Sequence, residues 1–178
     1  MAFDIIPRKN IYLLNKIKSF LKDNLSINDT LIVSGSGKGY DYLLDGLNCK
    51  LILDVNGNEL KKLIKYKPFL VKPNAEELEE YSNSINNIDL MINDGASYVL
   101  ATLGDKGSIL KSNDIFLKEG IYCNDVFTTV GCGDTYLASF IGFLELGYDL
   151  SKAFTLGAKA AGLRALTGKF PKKIEIES

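Results

Sequence analysis

Short, solid apolar runs alternate along this chain with stretches of amphipathic spacing. Ile11, Leu14, Ile17, Leu21 and Leu25 recur at close to 3.6 residues and predict a first helix, with Asn10 placed to cap it. Leu31, Ile32 and Val33 form a continuous apolar run, the signature of a buried strand. A segment rich in glycine, Gly35-Ser36-Gly37-Lys38-Gly39, then leads into a helix over 40–47. The pattern repeats as a strand over 51–53 ending at Asp54, a helix over 59–64, a strand over 69–71, helices over 76–81 and 88–92, and a strand over 98–101. After a glycine turn, residues 109–121 predict short antiparallel strands, and the last third predicts helix, split near Gly147.

Solid apolar strands, each followed by a helix, predict an α/β fold: a mostly parallel sheet with helices on both faces and a short antiparallel edge. In such sheets ligands sit beyond the carboxyl ends of the strands. The loops to read for chemistry are therefore 34–39, 54–58, 72–77, 102–107 and 128–134, and all but 72–77 contain glycine.

Composition narrows the chemistry. The 178 residues are 46% hydrophobic and 24% charged, ordinary globular values at a length that predicts one domain. Lys plus Arg number 21 and Asp plus Glu 22, a net charge of −1 that argues against nucleic acid as the main partner. The sequence shows no apolar run long enough for a membrane span and no signal-peptide pattern at its start, so no membrane partner is expected. There is no histidine, which excludes a Ser-His-Asp triad, a Cys-His dyad and an HExxH zinc site. Cys49, Cys123 and Cys132 form no CxxC pair, so a reduced, cytoplasmic setting is expected rather than a zinc knuckle or dithiol site. Any chemistry falls to carboxylates, lysines and backbone amides.

Three loops offer such groups. Thr128-Thr129-Val130-Gly131-Cys132-Gly133-Asp134-Thr135 runs into an apolar helix. Two glycines allow successive N–H groups to face one way, and the helix adds its positive end, which together make an anion cradle. Asp134 in the first turn is either a favourable dipole partner or a base beside a transferring phosphoryl group. Lys72-Pro73-Asn74-Ala75-Glu76-Glu77 reads as a capping box, with Asn74 as cap and Glu77 three residues on. The same geometry could turn Asn74 and Glu77 towards a magnesium water shell while Lys72 faces phosphate. Thr102-Leu103-Gly104-Asp105-Lys106-Gly107 is either a plain glycine turn or a loop that lets the backbone approach a nucleotide. Gly37-Lys38 does not make a Walker loop, because Ile32 and Gly39 stand where glycine and a hydroxyl residue are needed. Nor do Gly35-x-Gly37 or Gly131-x-Gly133 complete a dinucleotide fingerprint, since Tyr40 and Tyr136 occupy the third glycine's place.

Taken in order, these loops resemble the PfkB (ribokinase-like) family of carbohydrate kinases. Gly131-Cys132-Gly133-Asp134 matches its GxGD signature, Asn74 to Glu77 its NxxE motif, and Thr102 to Gly107 its TLGxxG nucleotide loop. Lys67-Pro68-Phe69-Leu70-Val71-Lys72-Pro73-Asn74-Ala75-Glu76-Glu77-Leu78 and Asp54-Val55-Asn56-Gly57 are most similar to the family's sugar-phosphate kinases, of the 1-phosphofructokinase and tagatose-6-phosphate kinase type. The resemblance implies a ribokinase-like three-layer αβα sandwich, present in part, and ATP-dependent transfer of the γ-phosphoryl group to a sugar-phosphate hydroxyl. It implies Asp134 as catalytic base and the amides of Gly131, Cys132 and Gly133 as anion hole. It implies Lys72 and Asn74 at the nucleotide, with Thr102, Leu103, Gly104, Asp105, Lys106, Gly107 and Gly133, and Asn74 and Glu77 at Mg2+.

Three positions depart from the family pattern. Ser34 to Gly39 lacks the usual Leu-Pro pair, Asn56 replaces a serine, and Cys132 replaces an alanine. At a helix N-terminus the Cys132 thiol is expected to shift down in pKa, which would make nucleotide binding sensitive to oxidants. The resemblance also begins only in the second half of the family pattern, so residues 1–178 are expected to form one partial domain, the nucleotide and phosphoryl-transfer half. An unpaired strand edge and exposed apolar faces are then expected, and with them self-association or a complementing chain. A non-catalytic nucleotide-binding module, or a kinase for a nucleoside or vitamin, are the alternative readings.

Overall fold

The computed structural model describes residues 11–82 and 86–178, so the cap expected at Asn10 lies outside the described residues. Six strands follow chain order through one sheet, β1 (Thr30–Ser34), β2 (Lys50–Asp54), β3 (Leu70–Val71), β4 (Tyr98–Thr102), β5 (Ser108–Lys111) and β6 (Phe116–Glu119). The first four pair in parallel and the last two antiparallel, giving the α/β architecture with a mostly parallel sheet that the run pattern predicts. Two compact units divide the chain, Met1–Val99 and Leu100–Ser178.

In the first unit the connections are helical, as parallel strands require. Helix α1 (Ile11–Asn24) precedes β1, and the connections are α2 (Tyr40–Leu44), α3 (Gly57–Leu63), α4 (Ala75–Tyr81) and α5 (Asn87–Asp94). The helix expected over 40–47 stops at Leu44, because Gly46 takes the left-handed φ of 77°. Helix α3 starts earlier than expected, with the Asn56 side chain accepting from the Glu59 amide. Leu51, Leu53, Val71 and Val99 on one sheet face form a buried core with Tyr40, Leu44, Leu60, Leu63, Tyr81 and Met91. Ile52 and Leu70, on the alternate positions, are fully buried too.

β1 departs from the buried strand its apolar run suggests. Val33 is buried, but Ile32 is 44% exposed. The strand is first in the sheet order and pairs with β2 alone among the described residues. An apolar run therefore marks a strand built for cover on both faces, and here one face of the edge has little.

In the second unit, the hairpin of β5 and β6 precedes α6 (Cys132–Glu145), α7 (Leu150–Thr167) and the short α8 (Lys173–Glu177). The split expected near Gly147 falls there, between α6 and α7. Tyr136, where a dinucleotide fingerprint would need glycine, is a core residue. Its hydroxyl shares a 2.8 Å hydrogen bond with the Ser108 hydroxyl and lies 3.3 Å from the Phe154 carbonyl oxygen.

Candidate active site

Parallel pairing brings Asp54 and Lys72 together. Leu53 of β2 and Val71 of β3 are partners in register, so the next residue on each strand leaves at the same end of the sheet. The Lys72 ammonium lies 2.9 Å from the Asp54 carboxylate, with side chains only 7% and 11% exposed. A lysine so little exposed needs such a partner, because an isolated buried ammonium is costly. The sequence marks Lys72 for phosphate, and the structure adds the carboxylate that holds it in place.

Pro73 ends β3, and Asn74 opens α4 with a complete capping box. The Asn74 side-chain oxygen accepts from the Glu77 amide at 2.8 Å, and the Glu77 carboxylate accepts from the Asn74 amide at 2.9 Å. Burial holds the Glu77 carboxyl above its ordinary range; the Asn74 amide and Lys72 oppose that rise, while Asp54 and Glu80 add to it. Glu80 in turn accepts from the Gly57 amide at 3.1 Å, which ties the start of α3 to α4. Among the described residues no cluster of three His, Cys, Asp or Glu side chains forms a metal cage. The donors at this end of the sheet do suit a hard cation held largely through water. They are oxygens, and Glu77 uses one carboxylate oxygen in the capping box while its charge is disfavoured by burial.

The second unit carries the other two loops. Thr102 ends β4, and Gly104–Lys106 form one 3₁₀ turn closed by Leu103 N–H donating to the Gly107 carbonyl at 2.8 Å. Gly107 has a structural reason to be glycine: a Cβ there would lie 2.0 Å from the Glu119 carbonyl oxygen. Gly104, Asp105 and Lys106 are exposed at the tip.

Gly131 is the N-cap of α6, in the left-handed region at φ 76°, where a side chain is disfavoured. No side chain caps this helix, in contrast to Asn56 on α3, Asn74 on α4 and Asp149 on α7. The Cys132 amide bonds back to the Thr129 carbonyl at 3.3 Å, and the Gly131 carbonyl accepts from the Thr135 amide and hydroxyl. Gly133 and Asp134 follow in the first turn, with the Asp134 side chain exposed. First-turn amides without a capping side chain, at the positive end of a fourteen-residue helix, are suited to an anion.

The Cys132 thiol contradicts the expected fall in pKa. Burial pushes it up, Arg164 pulls it down and Cys123 adds to the rise. Its weak bond goes to the Thr128 carbonyl, 3.5 Å away. Desolvation outweighs the pull of Arg164, so no activated thiolate supports the oxidant-sensitivity expectation.

The sequence reading missed Arg164. It sits in α7 without a motif, yet its side chain reaches back to the turn before Gly131. The available signal was compositional: the chain has only two arginines, Arg8 and Arg164, among many lysines.

A mostly parallel six-stranded sheet with helices between its parallel strands is the α/β fold of the ribokinase-like class. A profile of the pfkB family carbohydrate kinases matches residues 46–169, and the chain belongs to that family. A 1-phosphofructokinase of Borreliella burgdorferi is 28% identical over 182 aligned positions, which cover 93% of this chain and 58% of that protein. A 1-phosphofructokinase of Haemophilus influenzae is 34% identical, over 81% of this chain and 52% of its own length. The crystal structure of Escherichia coli phosphofructokinase-2 in complex with fructose-6-phosphate superposes with a TM-score of 0.81 at 18% identity, covering 95% of this chain and 60% of that one. That likeness establishes the fold. The chain spans about half the length of the curated relatives it matches. No helix among the described residues is long and apolar enough to cross a membrane.

Proposed function

We propose that residues 1–178 form the nucleotide-binding and phosphoryl-transfer half of a sugar-phosphate kinase that uses ATP and Mg2+. The observation that carries this reading is the α6 N-terminus: a left-handed glycine cap, no capping side chain, and an exposed carboxylate in the first turn. Family membership and relatives named 1-phosphofructokinase support it. In this reading the amides of Gly131 and Gly133, with that of Cys132 once it leaves its 3.3 Å bond to the Thr129 carbonyl, hold the oxygens of the terminal phosphoryl group, and Asp134 accepts the proton of the acceptor hydroxyl. The new oxygen–phosphorus bond forms as the bond to the departing nucleoside diphosphate breaks. Lys72, aimed by Asp54, supplies positive charge to the phosphates, and 102–107 line the nucleotide. Glu77, with Asn74, would hold a magnesium ion through water; bound there, the ion would neutralise phosphate charge.

The acceptor is a fructose 1-phosphate or tagatose 6-phosphate type of sugar phosphate, bound by the part of the family pattern that residues 1–178 do not span. The experiment is phosphoryl transfer by wild type and Asp134→Asn, with the N-terminal half of a related kinase added and a panel of sugar-phosphate, nucleoside and vitamin acceptors. Loss of a general base predicts a fall of roughly a hundredfold to ten-thousandfold in kcat, with Mg-ATP binding retained. Equal activity in the two proteins would contradict the assignment of Asp134. ATP binding without transfer to any acceptor would favour a non-catalytic nucleotide-binding module, a reading that the half-length match keeps in view.

A further inference from the structure

We infer that Arg164, at the end of α7, is a positioning residue that sets the anion cradle at Gly131. The inference rests on the reading that this turn holds a nucleotide's terminal phosphates.

Two residues of α7 stitch down the approach to the cradle. The Phe127 and Thr128 amides both donate to the Ala165 carbonyl, at 2.9 and 3.1 Å. Arg164 Nε donates to the Val130 carbonyl at 3.2 Å. The same guanidinium donates through Nη1 to the Gly168 carbonyl and stacks 4.4 Å from the centre of the Phe170 ring. A Cβ placed on Gly131 would lie 3.6 Å from Nε and Nη2, so the charge sits directly against the glycine that caps α6.

The consequence follows from the geometry of the peptide bond. In a planar trans peptide the carbonyl and the N–H of the next residue point in opposite directions. Holding the Val130 carbonyl on Arg164 therefore turns the Gly131 N–H away from α7. The Gly131 amide is one of the cradle's proposed donors, and its aim is set by a side chain 33 residues further along the chain. An arginine suits this task where a lysine does not. Its planar fork bonds the Val130 and Gly168 carbonyls at once and offers a flat face to Phe170. A lysine carries the same charge but cannot fix both carbonyls and the stack together.

Calorimetric titration of the full chain with Mg-ATP and, separately, with adenosine tests this. Arg164→Lys keeps the charge and loses the fork; Arg164→Gln keeps one donor and loses the charge. Both are expected to weaken Mg-ATP roughly tenfold or more, the scale of a charge-assisted hydrogen bond, while adenosine affinity moves less than about twofold. Where transfer is measurable, kcat should fall with the acceptor KM unchanged. An unchanged ratio of ATP to adenosine affinity in both variants, with wild type binding ATP, would overturn the role of Arg164 alone. Wild type binding adenosine but gaining nothing from the phosphates would overturn the cradle reading and this inference with it. Should neither variant fold, Phe170→Ala carries the test, since that ring is 72% exposed and its loss removes only the support beneath the guanidinium. It should lower the ATP-to-adenosine ratio, and an unaltered ratio would count against the inference.

Discussion

Glu77 is pulled two ways by its surroundings. Its backbone amide and carboxylate close the α4 capping box, yet burial disfavours its charge, with Asp54 and Glu80 adding to that cost against the Asn74 amide and Lys72. The folded chain therefore holds the Glu77 proton more tightly than the unfolded chain. Its contribution favours the fold in acid and is lost as pH rises through the raised folded pKa. Glu77→Gln keeps an oxygen for the Asn74 amide and carries no charge. Urea unfolding across pH should show the variant gaining on wild type as pH rises above the ordinary glutamate value of about 4.3. A constant difference, or one that shrinks, would contradict the burial argument. At neutral pH, added Mg2+ should raise the unfolding midpoint of wild type and leave that of Glu77→Gln in place; equal responses would remove Glu77 from the proposed metal site.

At the scale of elements, α6 is held by what lies behind its first turn. Tyr136 is buried, and its hydroxyl meets Ser108 on β5 and the Phe154 carbonyl on α7. Tyr136→Phe would leave the buried Ser108 hydroxyl without this partner, at a cost of about 1–3 kcal/mol in denaturant unfolding. A change near zero would mean that the bond is replaced by water.

The same tyrosine shows what was legible in the sequence. Solid apolar runs located the four parallel strands, the 109–121 stretch held the antiparallel pair, and the spacing of Asn74 and Glu77 gave the capping box, because those signals are local. Ile32 misled, since an apolar run records what a strand can bury and not which strand stands at the edge. Cys132 misled because a helix end is visible in sequence while burial is not. The Asp54–Lys72 pair needed the register of two strands, and the Arg164 contacts needed the packing of the 127–130 segment on α7. Neither has a sequence spacing that repeats.

For the whole molecule, the expectation of a partner rests on β1 and its exposed Ile32, at one end of the sheet order. A strand edge with an uncovered apolar position invites pairing. Sedimentation across a concentration series should show self-association, or a shift to a defined heterocomplex when the N-terminal half of a related kinase is added. A single monomeric species under both conditions would contradict this expectation.

The central claim is that the turn opening α6 receives a nucleotide's terminal phosphate. Amide NMR of the labelled chain, titrated with Mg-ATP and with adenosine, tests it without requiring turnover. The account predicts that the Gly131, Cys132, Gly133 and Asp134 resonances shift saturably with Mg-ATP and stay nearly still with adenosine. Saturable ATP binding that leaves those four amides unmoved, or no ATP binding at all, would contradict it.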